Sequence, residues 1–331
     1  MMLGRLHSTR MRAALAVIKL VIVPIAIGWV ILDLLRRSPT NSLTIQPWWL
    51  LAAIAAIQVA LWLVSLRLVQ LLAIHHAPLR SRTALLINLR SMFYFLVVPT
   101  QAGMEAVRFF GLRAGAPDAS NTAIAGTLVL DRVVGAVAAA ILFMLSAVYI
   151  GWGRLQIAPL RFDAQFFAVA LVALALLGIV AIACKIAIGR SIRIAGFISL
   201  LFSSRWQLSI ILFYAVLAQA FVVASVACAL QGLNFDVPVV ALTFGIMGGN
   251  FLMIIPISFA GLGPAELAGA ALLLFAGIAE PTAIMAVFVT YLTRVYAGLQ
   301  GAMIELWDEA MNLSMIARIS NARTRSVGKP L

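Results

Sequence analysis

The stretch IIPISFAGLGPAELAG, Ile254–Gly269, decides how the rest of the chain is read. It starts inside a long apolar run, then sets Pro256, Gly261, Gly263 and Pro264 within nine residues and places Glu266 just after them. Proline lacks the amide donor that a helix needs and glycine weakens helical order, so this spacing predicts a broken helix. In lipid, broken backbone persists only where protein or a water-filled cavity covers it. An acid immediately past such a break points to a functional site rather than a plain membrane anchor.

Around this motif lies a chain of 331 residues, 64% hydrophobic and only 11% charged, with mean hydropathy +1.08. A soluble domain cannot hide that much apolar surface, whereas runs of about 20 apolar residues are what a bilayer crossing requires. The expected fold is an all-α polytopic integral membrane protein with about 6–8 transmembrane helices and two broken, re-entrant ones. A transmembrane β-barrel would show short alternating strands instead of long unbroken runs. The formal net charge of +13 does not indicate nucleic acid, because the cations sit in short loops and tails. Cys184 and Cys228 lie in or beside apolar runs and read as small buried hydrophobes. His75 and His76 are adjacent, point to different helix faces and lack a third ligand nearby. With no nucleotide-binding glycine loop, zinc spacing or nucleophile triad, neither a cofactor, a metal nor a catalytic residue is expected.

The spans read in order as about 14–35, 47–73, 122–150, 164–186, 208–230 and 282–307. The first follows Arg5, Arg10 and Arg12 and is too long for a signal-peptide core. After the second, with Arg67 near its inner end, residues 75–90 look like a cytoplasmic interfacial helix. A second broken stretch follows, SMFYFLVVPTQAGMEAVRFFG (Ser91–Gly111), in which Pro99 and Gly103 precede Glu105 and Arg108. Its apolar part before Pro99 is too short to cross a bilayer. A half-helix entering and leaving on the cytoplasmic side is expected, with Arg108 and Arg113 at its exit. Segments 238–257 and 264–278 flank the opening motif. Residues 1–13 and an irregular basic tail, 308–331, leave 14–307 as one transmembrane domain with repeat-like halves about 91–150 and 238–307.

Of the 24 Lys and Arg, 17 fall in segments read as cytoplasmic and four (Arg36, Arg37, Arg154, Arg161) in segments read as external. That asymmetry predicts both termini in the cytoplasm. Lys19, Arg132 and Arg294 lie within spans, and Asp131 directly precedes Arg132. Charges at that depth normally face a bundle interior or a cavity. The two broken stretches share an order: Pro99, Gly103 and Glu105 in one, Pro256, Gly261 and Glu266 in the other. Each leads to a span with an embedded arginine, 27 residues after Glu105 (Arg132) and 28 after Glu266 (Arg294). Three crossings separate them, so they enter from opposite faces, the form of an inverted repeat with discontinuous helices.

The pieces VVPTQAGMEAVRF (Val97–Phe109), VLDRVVG (Val129–Gly135), IIPISFAGLGPAELAG and the arginine of YLTRV (Tyr291–Val295) resemble the recurring motifs of the lysylphosphatidylglycerol synthase transmembrane (flippase-like) family. Two positions depart from the family pattern: Met104 separates Gly103 from Glu105, and Ala260 replaces a glycine. The soluble aminoacyl-transfer domain of the full synthases is not expected here, so the chain reads as a stand-alone member. The resemblance implies lipid translocation in a bacterial-type plasma (inner) membrane.

Physically, half-helix N-termini and Arg108, Arg132 and Arg294 supply donors suited to a lipid phosphate. Glu105, Asp131 and Glu266 could balance those arginines, meet a cationic group or carry a proton. Blander readings stand beside these: each glutamate also fits an ordinary helix start, and Asp131–Arg132 fits a polar contact between helices. Membrane lipids with an anionic or phosphate-bearing headgroup are the expected partners, an oligomer is compatible with the sequence, and nucleic acid is not expected. The alternatives are a membrane enzyme transferring a group onto a lipid and a non-catalytic subunit beside a lipid-synthesis enzyme, as in hopanoid or aminoacyl-lipid pathways.

Overall fold

A computed structural model describes residues 46–97, 101–157, 205–252 and 264–327. These residues form eight helices: α1 (Pro47–Ala73), α2 (Ser81–Val97), α3 (Gln101–Gly115), α4 (Asn121–Ile157), α5 (Arg205–Gly232), α6 (Val239–Leu252), α7 (Pro264–Phe275) and α8 (Glu280–Val327). Among the described residues there is no strand. Within α1, α4, α5 and α8 lie apolar stretches of 27, 31, 27 and 28 residues, long enough to cross a membrane. At 1.5 Å per residue each reaches about 40 Å or more, beyond the roughly 30 Å hydrocarbon core. The chain is an all-α polytopic membrane protein. The expected spans 14–35 and 164–186 lie outside the described residues, as do Pro99, Pro256, Gly261 and Gly263.

The helix ends follow local chemistry. The Ser120 hydroxyl accepts the Ala123 amide at 3.1 Å and caps the start of α4. Helix α7 stops where Gly277 takes φ +88°, with the Ile278 amide donating to the Leu273 carbonyl at 3.1 Å. Asn234 (φ 61°) ends α5 in the same way, the Phe235 amide donating to Leu230.

Two of the short helices run back along the two others. Gly111 of α3 lies against Ile87 of α2, and Gly115 against Leu79 and Thr83. Likewise Gly249 of α6 lies against Ala265 of α7, and Gly245 against Leu273. Each pair is therefore an antiparallel hairpin. Its arms, 12–17 residues or about 18–26 Å long, are shorter than a bilayer crossing.

The hairpins enter from opposite ends. Helices α1 and α5 are antiparallel, because the Gln46 amide at the start of α1 donates to the Gly232 carbonyl at the end of α5. The loop before α2 thus sits at one end of the molecule and the loop before α6 at the other. Packing repeats with the same two-fold pattern: α2 lies on α8 while α6 lies on α4, and α1 pairs with α5. Buried apolar side chains divide accordingly. Leu68, Leu72, Ile87, Leu112 and Ile124 pack in the first half. Phe143, Leu242, Phe244, Met247 and Leu273 form a larger cluster around the second. Leu71, Val134 and Ile211 join α1, α4 and α5 between them.

Three expectations change. The interfacial helix at 75–90 and the half-helix that follows it are one element, α2, which starts after Pro78 and meets no breaker before Val97. Gly103 does not break the backbone, since α3 runs through it from Gln101. The tail expected to be irregular continues α8 as helical backbone to Val327.

Candidate functional site

The first hairpin and the long helices beside it enclose a network of charge. Asp131 on α4 is buried and holds two arginines. Arg67 from α1 donates from Nε to its Oδ1 at 2.8 Å, and Arg108 from α3 donates from Nη2 to its Oδ2 at 2.7 Å. Arg108 also donates from Nε to the Asn88 side-chain oxygen at 3.2 Å, and Asn88 of α2 donates to the Ser65 hydroxyl at 3.0 Å. One carboxylate thereby ties three helices together, and Asn88 joins α2 to them. Ions taken out of water cost several kcal/mol each, so such a group persists only with this degree of pairing and hydrogen bonding.

Beside this core lies a looser pair. Arg132 of α4 donates from Nε to Glu105 Oε1 at 2.7 Å, and the same oxygen receives Arg108 Nη1 at 3.4 Å. The other oxygen, Oε2, is buried and has no hydrogen-bond partner among the described residues. The Arg132 side chain is 39% exposed and that of Glu105 27%, against 5% for Arg108 and 3% for Asp131. Three arginines face two carboxylates here, leaving one positive charge over.

These side chains line a cavity of about 560 Å³. Its wall carries Arg67, Asn88, Glu105, Arg108, Asp131 and Arg132, with apolar residues from α1, α2, α4 and α5. Gln219 of α5 and Asn250 of α6 complete it, so both halves of the molecule contribute.

The second hairpin repeats the pairing on a smaller scale. Arg294 of α8 is ion-paired with Glu266 of α7 and donates from Nη2 to the Asn250 side-chain oxygen at 3.1 Å. The space there is about 20 Å³, enough for about one water molecule. Asn250 borders this space as well as the large cavity.

Of the six candidate residues, the structure brings Glu105, Arg108, Asp131 and Arg132 together and sets Glu266 with Arg294 at a separate small space that shares Asn250 with the cavity. Arg108 does not hold the hairpin exit, because Asp131 draws it inward. Arg113 does so, donating to the carbonyls of Pro117 and Ala119 at 3.1 and 2.7 Å. Pro264 opens α7, and Glu266 lies in its first turn as well as in the ion pair.

Sequence reasoning missed Arg67, Asn88 and Asn250. Arg67 was assigned to the cytoplasmic end of its span, yet it is buried. Removing Arg67 and Arg108 from the cytoplasmic tally leaves 15 against four, so the asymmetry persists. The signal for Arg67 was its place six residues before the end of an unbroken apolar helix. Asn88 and Asn250 carry no charge and offered none.

Opposed hairpins, each setting a glutamate against an arginine of a long helix at the wall of an internal space, define a membrane protein with charged groups enclosed among its helices. Over residues 16–299 the sequence matches the family described as lysylphosphatidylglycerol synthase TM region, and the chain belongs to that family. It is thereby a membrane protein related to lipid modification or flipping. Comparison with curated proteins and with solved structures returns no match.

Proposed function

We propose that this protein moves a phosphate-bearing lipid between membrane leaflets, the headgroup passing through the cavity while the acyl chains stay in lipid. The observation that carries this reading is the cavity of about 560 Å³ with three arginines and two carboxylates in its wall. That volume lies within the roughly 300–1,000 Å³ typical of small-ligand sites. An arginine within a membrane costs on the order of 3 kcal/mol unless an anion accompanies it, and a lipid phosphate is such a partner. Guanidinium groups also match phosphate geometry with paired donors. Among the three arginines Arg132 is the most exposed and makes the first contact.

Hairpins entering from opposite ends suit alternating access, in which a central site opens first to one leaflet and then to the other. The positive-inside count supports cytoplasmic termini, and the family supports a bacterial-type inner membrane. In this reading 14–307 is the translocating domain, and a lipid-synthesis enzyme is the partner that would supply the lipid.

The test is leaflet exchange of fluorescent phosphatidylglycerol in liposomes carrying purified protein. Arg132→Ala is expected to lower the rate at least about tenfold, the loss of one charge-assisted contact to phosphate, and Arg294→Ala to lower it by disabling the second pair when that half of the molecule opens in the cycle. Both variants folding normally and moving lipid at the wild-type rate would defeat the proposal.

A further inference from the structure

We propose that Glu105 couples headgroup binding to the uptake of one proton: a lipid phosphate takes Arg132, and the carboxylate so released is protonated on Oε2. This deepens the reading above and rests on it. Arg67 and Arg108 are committed to Asp131 and are nearly closed off, with side chains 7% and 5% exposed. Arg132 alone of the three is reachable at 39%, and Glu105 already holds it. A phosphate entering this cavity therefore competes with Glu105 for the same guanidinium.

The geometry of Glu105 prepares it for the exchange. Arg132 and Arg108 both use its Oε1, and its Oε2 is buried with no partner among the described residues. Once Arg132 turns to the phosphate, only the 3.4 Å contact from Arg108 remains. The groups facing Glu105 are few. From its own helix comes Arg108; from α4, Arg132 and Asp131; from α1, Arg67, bound to Asp131. The α2 wall presents uncharged Asn88 and Ser91, α5 presents Gln219 and α6 presents Asn250. The incoming phosphate adds a negative charge beside a carboxylate that has just lost its main cation. Two like charges in a partly buried site favour the neutral form of the weaker acid, here the carboxylic acid rather than the phosphodiester.

In this step a proton from a bulk hydronium or buffer acid, whose conjugate base stays in bulk solvent, is relayed by cavity water and forms an O–H bond at Oε2 once Glu105 turns from Arg132; no electron changes owner. The site carries one excess positive charge when empty. With a monoanionic phosphate and one proton added it carries the same excess, so loading is electroneutral. The Glu266–Arg294 pair does not exchange partners in this conformation, because only about 20 Å³ adjoins it.

The test is calorimetric titration of the full-length purified protein with short-chain phosphatidylglycerol, at pH 5 to 9, in buffers of differing ionisation enthalpy. The expected result is uptake of about one proton per lipid over part of that range, with affinity falling up to tenfold per pH unit within that same window and levelling off above it. Glu105→Gln, which mimics the protonated acid, is expected to bind with pH-independent affinity and no uptake. Binding without proton uptake at any pH overturns the coupling while leaving the phosphate site standing. Equal uptake by wild type and Glu105→Gln also overturns it. No binding by wild type at any pH overturns the site and the coupling together. The wild-type proton count decides the matter even if the variant does not fold.

Discussion

Asp131 and Glu105 are both carboxylates in the same wall, yet the structure gives them different tasks. Asp131 is 3% exposed and spans two arginines from two helices, so its removal leaves Arg67 buried without its counter-ion and Arg108 with only the 3.4 Å contact to Glu105. Breaking a buried pair in this way costs about 3–5 kcal/mol. Asp131→Ala is therefore expected to lower the thermal unfolding midpoint in detergent clearly, while Arg132→Ala, at a partly open pair, lowers it far less. Equal shifts for the two would contradict this division. Arg67→Lys tests the geometry of the same carboxylate, because an ammonium cannot reproduce two donors aimed at one oxygen; a measurable loss of stability is expected. Much of this was legible at the residue scale: Asp131, Arg132, Glu266 and Arg294 stood out because charge is rare in apolar runs. Asn88 was not, since a neutral amide acquires its role only when Arg108 and Ser65 arrive from distant parts of the chain.

At the scale of elements, close approach of backbones holds the hairpins. A side chain at Gly249 would bring its Cβ to 2.6 Å from the Ala265 carbonyl oxygen, well inside contact distance. Gly301 of α8 similarly meets the Leu89 carbonyl of α2. Gly249→Val is expected to force the arms of the second hairpin apart and destabilise by about 1–3 kcal/mol or more, as overpacking does. Gly301→Val should separate α8 from α2 at similar cost. Detergent unfolding curves check both, and unchanged midpoints would show that these helices pack elsewhere. The glycine-rich patches Gly245–Gly249 and Gly298–Gly301 act as packing faces between helices. Proline and glycine marked where the chain turns back. They could not show that α2 lies on α8 and α6 on α4, because those partners are separated by most of the chain. The true length of α2 was also hidden, since its arginines resemble those of an interfacial helix.

At the scale of the molecule, two halves of opposite orientation face each other across a shared cavity. This arrangement predicts sidedness. In a background lacking Cys184 and Cys228, a membrane-impermeant thiol reagent should label Arg80→Cys from the cytoplasmic side and Asp236→Cys from the other. Both native side chains are exposed in the loops that precede the hairpins. Labelling of both from one side would contradict the inverted arrangement. The repeat was legible from two matching motifs and a charge count, whereas the unequal spaces beside the two Glu–Arg pairs, about 560 and 20 Å³, could emerge only from packing. That inequality leaves the first pair accessible and the second closed, as expected of one state in an alternating cycle. The central claim is best tested in liposomes by comparing leaflet exchange of labelled phosphatidylglycerol with that of a neutral glycolipid bearing the same chains. The account predicts that the protein accelerates the phosphate-bearing lipid at least about tenfold over protein-free liposomes and the glycolipid little, in line with one charge-assisted contact. Phosphatidylglycerol crossing at the protein-free rate would contradict it.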